Sequence, residues 1–424
     1  MRVLWICNVP IPEAKEVMGD DTEVRVSWLV GISKALKDSV DLYIAYTSVG
    51  QTDIRTGDGD RVHFVSVPRK EKDADKFDPS LEEQFVRVYE MVKPDAVHIF
   101  GTEFPHTLSA VLASRRAGLS DATVVSIQGL VSIYADHFMA GIPHWVECFF
   151  SIRDILRRSN VRTVQKKFRK KGAYEIEAIK QVQNVIGRTD WDLACTTMYH
   201  PGVSYHHNNE ILRDSFYENR WQYESCEKHR IFMSQGRVPY KGFHFAVQAL
   251  AVLKEKYPDV TLYITDDDIM HPQGFYNKIK LGGYQIYLRK LIRKLGVEEN
   301  IHFLGTLNEE EMCEQYRKAN AFILPSAIEN SPNSLGEAML LGVPTVTADM
   351  GGVKNMITHE KEGYVYQLDA PYMLAFYVGK LFDAKENVAP MCEAAHAHAA
   401  QIFDRGENIK ELVAIYRRIS GNEE

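Results

Sequence analysis

The stretch Ala321-Phe322-Ile323-Leu324-Pro325-Ser326-Ala327-Ile328-Glu329-Asn330-Ser331-Pro332-Asn333-Ser334-Leu335-Gly336-Glu337-Ala338 decides the fold. Four apolar residues stopped by a proline read as a buried strand, because a short continuous apolar run bounded by turn formers suits a strand covered on both faces. A loop of serine, asparagine and proline follows. From Ser334 to Leu341 the period becomes helical. Strand, polar loop and helix make the unit of a parallel sheet, where ligands bind at the carboxyl ends of strands beside helix amino ends.

The unit recurs on both sides. Downstream and upstream of it, strands are predicted at Ile231–Ser234, Thr261–Ile264, Ile301–Phe303 and Thr345–Thr347, with helices at Phe243–Lys256, Tyr284–Leu295 and Glu309–Lys318. The first half carries strands at Val3–Cys7, Asp41–Ala45, Val62–Val67, Ala96–Phe100 and Thr123–Ile127, with helices at Ser27–Leu36, Ser80–Val92 and Thr107–Arg116. This alternation predicts an α/β protein with two Rossmann-like domains facing a central cleft. The expected boundaries are residues 1–200 for the first domain, 201–228 for a linker and 229–395 for the second. Residues 396–424 are expected to be helical and to return to the first domain. The linker is placed by Pro201-Gly202 and His206-His207-Asn208-Asn209, which are polar and aperiodic.

Composition bounds the function. The 424 residues are 45% hydrophobic and 25% charged, as in ordinary globular domains, which excludes disorder and coiled coil as the main architecture. A net charge of −7 argues against nucleic acid as a partner. No run reaches the roughly 18 to 20 apolar residues of a membrane span. Met1–Cys7 reads as a first strand rather than a signal peptide, so the expected location is the cytoplasm. The six scattered cysteines, with no C-x-x-C pair, read as reduced buried thiols.

One segment departs from the acidic background. Between Cys148 and Lys171 there are nine bases and the single acid Asp154, with Phe149, Phe150, Ile152, Ile155 and Leu156 among the first of them. The segment suits an anionic membrane surface, or else a solvated helical excursion.

Three strand-end loops of the second half carry chemistry. In Ser234-Gln235-Gly236-Arg237-Val238-Pro239-Tyr240-Lys241-Gly242, two cations stand at the mouth of a helix, as a diphosphate leaving group requires; a loop of solvated bases is the plainer reading. In the second loop Glu329 is placed to bond hydroxyls and the first turn at Ser334 to hold phosphate, while Ser334-x-x-Glu337 also reads as a capping box. The third, Asp349-Met350-Gly351-Gly352, permits close backbone approach to a ligand or merely a tight turn. Asp266-Asp267-Asp268 reads as a loop rather than a cation site, and the 15 histidines form no zinc pattern.

The ordered set G-R-x3-K-G (Gly236 to Gly242), E-x7-E (Glu329 to Glu337), A-M-x2-G-x-P (Ala338 to Pro344), D-x-G-G and Glu362-Gly363 resembles the retaining nucleotide-sugar glycosyltransferases of family 4. That family has the GT-B fold. Val185 to Asp192 resembles a segment of relatives that build bacterial surface polysaccharides; a buried strand followed by a Thr189-capped helix is its other reading. The resemblance implies that Arg237 and Lys241 neutralise the donor diphosphate, that Glu329 contacts the donor sugar and that Glu337 holds the ribose. Amides at Asn333, Ser334 and Leu335 would hold phosphate, Gly236 and Gly19 would approach it, and Gly305 and Thr306 would lie by the base. On the acceptor side it points to Arg188, Asp190 and Gln128, the last standing where the family often carries a histidine. An amide can bond a hydroxyl but cannot take a proton.

The implied activity is transfer of a hexose, with retention and without metal or other cofactor, to a glycan or polyprenyl-linked hydroxyl. The donor expected first is a UDP-sugar, then GDP-mannose. The implied location is the cytoplasm, peripheral on the inner face of the membrane. The alternatives are a non-catalytic two-lobed sugar- or nucleotide-binding protein, or a sugar-nucleotide epimerase or phosphorylase on the same fold.

Overall fold

The computed structural model describes residues 1–19, 27–272 and 281–421. Its contacts divide the chain into two compact units: Met1–Ile133, Phe168–Ile211 and Phe403–Glu424 form the first, Tyr134–Lys167 and Leu212–Ile402 the second.

Among the described residues the first unit is built on eight strands: β1 (Arg2–Cys7), β2 (Asp41–Ser48), β3 (Arg55–Asp58), β4 (Val62–Pro68), β5 (Ala96–Phe100), β6 (Thr123–Ser126), β7 (Asn184–Gly187) and β8 (Ser204–His207). Their order is β3-β4-β2-β1-β5-β6-β7-β8, with only β3 antiparallel, against β4. The inner strands are buried on both faces, which is why they read as unbroken apolar runs. The last helix, Arg405–Ile419, belongs to this unit. Its stripe Leu412, Ile415, Tyr416 and Ile419 follows the helical period and joins the core that holds Trp5. There Trp5 Nε1 donates to the Tyr416 hydroxyl at 3.0 Å, so the buried indole N–H is satisfied. Strand β8 falls inside the stretch expected to be linker and extends the sheet edge.

Among the described residues the second unit has six parallel strands: β9 (Arg230–Met233), β10 (Thr261–Ile264), β11 (Ile301–Phe303), β12 (Ala321–Leu324), β13 (Thr345–Asp349) and β14 (Tyr364–Gln367). They run β11-β10-β9-β12-β13-β14. The order reverses between β9 and β12, and a crevice opens outside the carboxyl ends of two strands that diverge in this way.

Residues 134–167, expected within the first domain, pack with the second unit instead. Ser151 caps the helix Ile152–Arg157 in a box with Asp154. The Asp154 carboxylate also accepts the Gly283 N–H at 2.8 Å, fixing the excursion to the amino end of the helix Gly283–Leu295. Tyr134 accepts the Asn330 N–H at 3.2 Å, and the Phe138 ring lies 5.7 Å from that of Tyr240. No local pattern signals bonds made 129 to 196 residues away. Five cysteines are buried as expected; Cys148 is exposed.

Candidate active site

The loops after β9 and β12 meet at the crevice. Pro239–Lys241 makes one 3-10 turn, ended by Gly242 at φ +74. A Cβ on Gly242 would stand 1.9 Å from the Pro325 carbonyl oxygen, so only glycine lets the two loops lie together. The Ala327 N–H donates to the Tyr240 carbonyl at 2.6 Å and ties them. This closeness brings the Lys241 ammonium to Glu329 Oε1 at 2.6 Å, with 13% and 8% of the two side chains exposed. Burial works to lower Lys241, but Glu329 and Tyr240 outweigh it and hold the ammonium above the usual lysine range. The cation is therefore permanent.

Of the two readings of the third loop, the structural one accounts for Gly351. A Cβ there would sit 1.8 Å from the Glu329 carbonyl oxygen, which also accepts the Gly352 N–H at 3.1 Å. The paired glycines thus support the Glu329 loop from behind.

The helix expected from Ser334 starts one residue earlier, at Asn333, with Pro332 as its N-cap and no side chain capping it. The capping box read from Ser334 and Glu337 does not form. That one-residue shift turns Glu337 away from the helix start. Its carboxylate pairs with Arg213, 2.7 Å from Nη2 and 2.9 Å from Nε, a partner that no motif in the sequence points to. Burial pushes Glu337 up to about 7, against the pull of Arg213 and Tyr316. No side chain caps this helix start, where the Leu335 N–H bonds the Pro332 carbonyl at 2.9 Å, and the dipole of the helix favours an anion at that end.

Arg237 lies beside this centre but faces solvent, with 61% of its side chain exposed, and pairs with Asp267 at 2.5 Å. Gly236 gives its N–H to Asp266 at 2.7 Å, and a Cβ there would stand 2.6 Å from Phe243 Cβ. Asp266 is raised to about 6 by burial, with Gly236 and Arg237 pulling it down. Asp268 accepts the N–H groups of Met270 and His271 at 2.7 and 3.0 Å. The three acids thus order the loop after β10. Gly305, at φ +70 after β11, bonds the Asp266 carbonyl at 3.1 Å, and Thr306 beside it is exposed. Four adjacent strand ends therefore carry Gly305, Asp266, Lys241 and Glu329 in sheet order.

The first-unit candidates are differently placed. Gly19 is the left-handed C-cap of the helix Pro12–Met18, exposed and with nothing within 4 Å of the point where a Cβ would stand. Arg188 is buried: its guanidinium pairs with Glu210 at 3.1 Å and bonds the carbonyls of Ile127 and Gln128, each at 3.2 Å. It braces the Gln128 loop rather than opening onto solvent. Thr189 forms the capping box with Asp192, and Asp190 is an exposed first-turn residue of that helix.

Two doubly wound parallel sheets of these orders define the GT-B class. Sucrose-phosphate synthase of Thermosynechococcus elongatus shares the fold with a TM-score of 0.70 at 13% identity over 99% of both chains. Anabaena HepE in complex with UDP does so with a TM-score of 0.66 at 16% identity, covering 98% of this chain and 99% of that one. Residues 215–398, which hold Lys241, Glu329 and Glu337, match the family model described as "Glycosyl transferases group 1". The D-inositol 3-phosphate glycosyltransferase of Corynebacterium urealyticum is 28% identical over 179 residues, 42% of this chain and 40% of that relative. The chain thus spans less than half the length of this curated relative.

Proposed function

We propose that the protein is a retaining glycosyltransferase that moves a hexose from a nucleoside-diphosphate sugar to a hydroxyl of a glycan or lipid-linked acceptor. The observation that carries this reading is the buried Lys241–Glu329 pair at the β9/β12 crevice, beside a helix amino end with no side-chain cap. Lys241, Arg237 and the amides of Asn333, Ser334 and Leu335 neutralise the departing diphosphate, whose charge grows as the bond to the sugar breaks. Glu329 holds a sugar hydroxyl, Glu337 the ribose, and Gly305 and Thr306 flank the base. UDP is the first choice of nucleotide, supported by the UDP held in the similarly folded HepE; GDP-mannose is the second. The test is release of nucleoside diphosphate from UDP-glucose, UDP-galactose, UDP-N-acetylglucosamine and GDP-mannose, with product anomers read by NMR. An α-donor should give an α-linked product; a β-linked product contradicts retention.

No metal or other cofactor is required on this reading, because arginine, lysine and backbone amides provide the charge a divalent cation would bring. Asp266, Asp267 and Asp268 already serve the Gly236 amide, Arg237 and a turn. Turnover is expected to stay within about twofold in excess EDTA; restoration by magnesium after a large loss contradicts it.

The basic segment favours a peripheral membrane role on the cytoplasmic leaflet. Phe150, Ile152, Ile155 and Leu156 are 50%, 58%, 65% and 77% exposed, a density of bare apolar side chains that water disfavours. Arg157, Arg158, Arg162, Lys166 and Lys167 are exposed around them. Among the described residues no helix is long and apolar enough to cross a membrane. Basic residues near an anionic surface contribute ~1 kcal/mol each and buried apolar groups add to this. The protein should sediment with phosphatidylglycerol vesicles but not with phosphatidylcholine vesicles. Binding should fall at least tenfold in Ile155→Glu/Leu156→Glu; unchanged sedimentation of that variant removes the segment from the account.

A further inference from the structure

Glu337, the residue set against the donor ribose, takes its cationic partner from a segment outside every loop that carries chemistry. Arg213 is the N-cap residue of the short helix Asp214–Glu218, about a hundred residues before that loop. Its Nε and Nη2 close on one carboxylate oxygen, Oε1, at 2.9 and 2.7 Å. Arginine is the side chain whose planar fork can grip a carboxylate in this way, and a grip on Oε1 keeps Oε2 for a ligand hydroxyl.

The grip is fixed from behind. The guanidinium carbon lies 4.7 Å from the centre of the Phe216 ring. Phe216 is fully buried and meets Tyr316 edge-on, with ring centroids 5.6 Å apart. Ser215 gives its N–H and its hydroxyl to Glu309 Oε1, at 3.0 and 2.9 Å, which ties the short helix to the helix Glu309–Lys318. Arg213, Phe216, Glu309, Tyr316 and Glu337 all belong to the second unit, so the arrangement is complete within it.

We propose that Arg213 is a positioning residue that keeps Glu337 oriented and ionised, and that the pair selects a ribonucleoside diphosphate over one lacking the ribose hydroxyls. An ionised acceptor bonds a hydroxyl roughly twice as strongly as a neutral one. A buried site built to bond a hydroxyl rejects the ligand without it, because its own polar group is then left unpaired. The groups facing the carboxylate are Arg213 from the short helix and Glu309, Cys313 and Tyr316 from the helix Glu309–Lys318. His396, on the helix Ala389–Ile402 that packs on the same helix as these, bonds the Leu340 carbonyl at 2.6 Å instead. Burial raises Glu337 to about 7 while Arg213 pulls it down. The bond to ribose therefore weakens as the pH falls through that value, and without Arg213 it weakens at higher pH.

The inference rests on the glycosyltransferase reading with Glu337 at the ribose, and the experiment separates the two. Affinities for UDP, GDP and their 2′,3′-dideoxy counterparts are measured by calorimetry between roughly pH 6 and pH 9. Each pair shares base and diphosphate, so the ratio of affinities isolates the ribose hydroxyls and cancels the titration of the phosphate. The native protein should prefer the ribonucleotide, the preference fading below about 7. Arg213→Met should cut the preference at least tenfold at about pH 8. It should also move the fading upward by about one pH unit or more. Arg213→Lys, which keeps the charge without the fork, should recover part of the loss. Arg213→Met/Glu337→Gln carries no unpaired buried charge, and it should bind as Glu337→Gln alone does, because Arg213 acts only through the carboxylate. A preference and pH profile of Arg213→Met within about twofold of the native protein overturns the role of Arg213 and leaves the transferase reading standing. A further loss of affinity when Arg213→Met is added to Glu337→Gln does the same. A native protein that binds the dideoxy nucleotide as tightly as the ribonucleotide overturns the selectivity. A folded native protein that binds neither nucleotide overturns both readings.

Discussion

Lys241→Ala is expected to lower donor turnover on the order of 100- to 1,000-fold, the loss that follows when a preorganised charge is removed from a developing anion. It should also destabilise the fold, because Glu329 keeps only 8% of its side chain exposed and would be left without its cation. Breaking a buried pair from one side costs about 3–5 kcal/mol. The two effects are separable. Lys241→Ala/Glu329→Gln removes the unpaired charge, so its melting temperature should recover most of the loss while its turnover stays low. Full turnover in Lys241→Ala, measured below its melting temperature, removes the cation from the mechanism.

Gly242→Ala should be among the most damaging substitutions of a single methyl group. Its φ of +74 costs an L-residue about 1–2 kcal/mol, and its Cβ would meet the Pro325 carbonyl at 1.9 Å, where backbone rather than a side-chain tip must yield. A loss of about 3–4 kcal/mol, lowering the melting temperature by roughly 10 °C, is expected, with turnover reduced because Lys241 moves with the loop. Gly296→Ala is the control. It has φ +66 and nothing within 4 Å of the added carbon, so it should lose only the backbone term and keep its turnover. Equal melting temperatures for the two variants would show that the loop contact is not what demands glycine.

These contacts also show what the chain makes legible. The strands Ala96–Phe100, Thr261–Ile264, Ile301–Phe303 and Ala321–Leu324 form with the bounds expected of them; Ala96–Phe100 and Ala321–Leu324 are buried along their whole length and stop at Gly101 and Pro325. Lys241 and Glu329 are legible because each lies within one strand-end loop. Glu337 is half legible. Its capping box is lost to one residue of helix register, and its partner Arg213 lies 124 residues away. Arg188 carries a charge that reads as a ligand-binding group, yet burial against Glu210 makes it a brace. The basic excursion is plain in the sequence, but its attachment through Asp154 to Gly283 depends on a helix amino end far along the chain.

The central claim is that the second unit holds a nucleoside diphosphate through Lys241, the amides at Asn333–Leu335 and Glu337. It is tested most directly by thermal denaturation with UDP, GDP and ADP at pH 8, above the value near 7 at which Glu337 ionises. A nucleotide at 100 times its Kd stabilises by about 2.7 kcal/mol. One nucleotide, UDP first, should raise the melting temperature by several degrees, and Glu337→Ala should abolish the shift while remaining folded. A folded native protein whose melting temperature no nucleoside diphosphate moves would contradict the account.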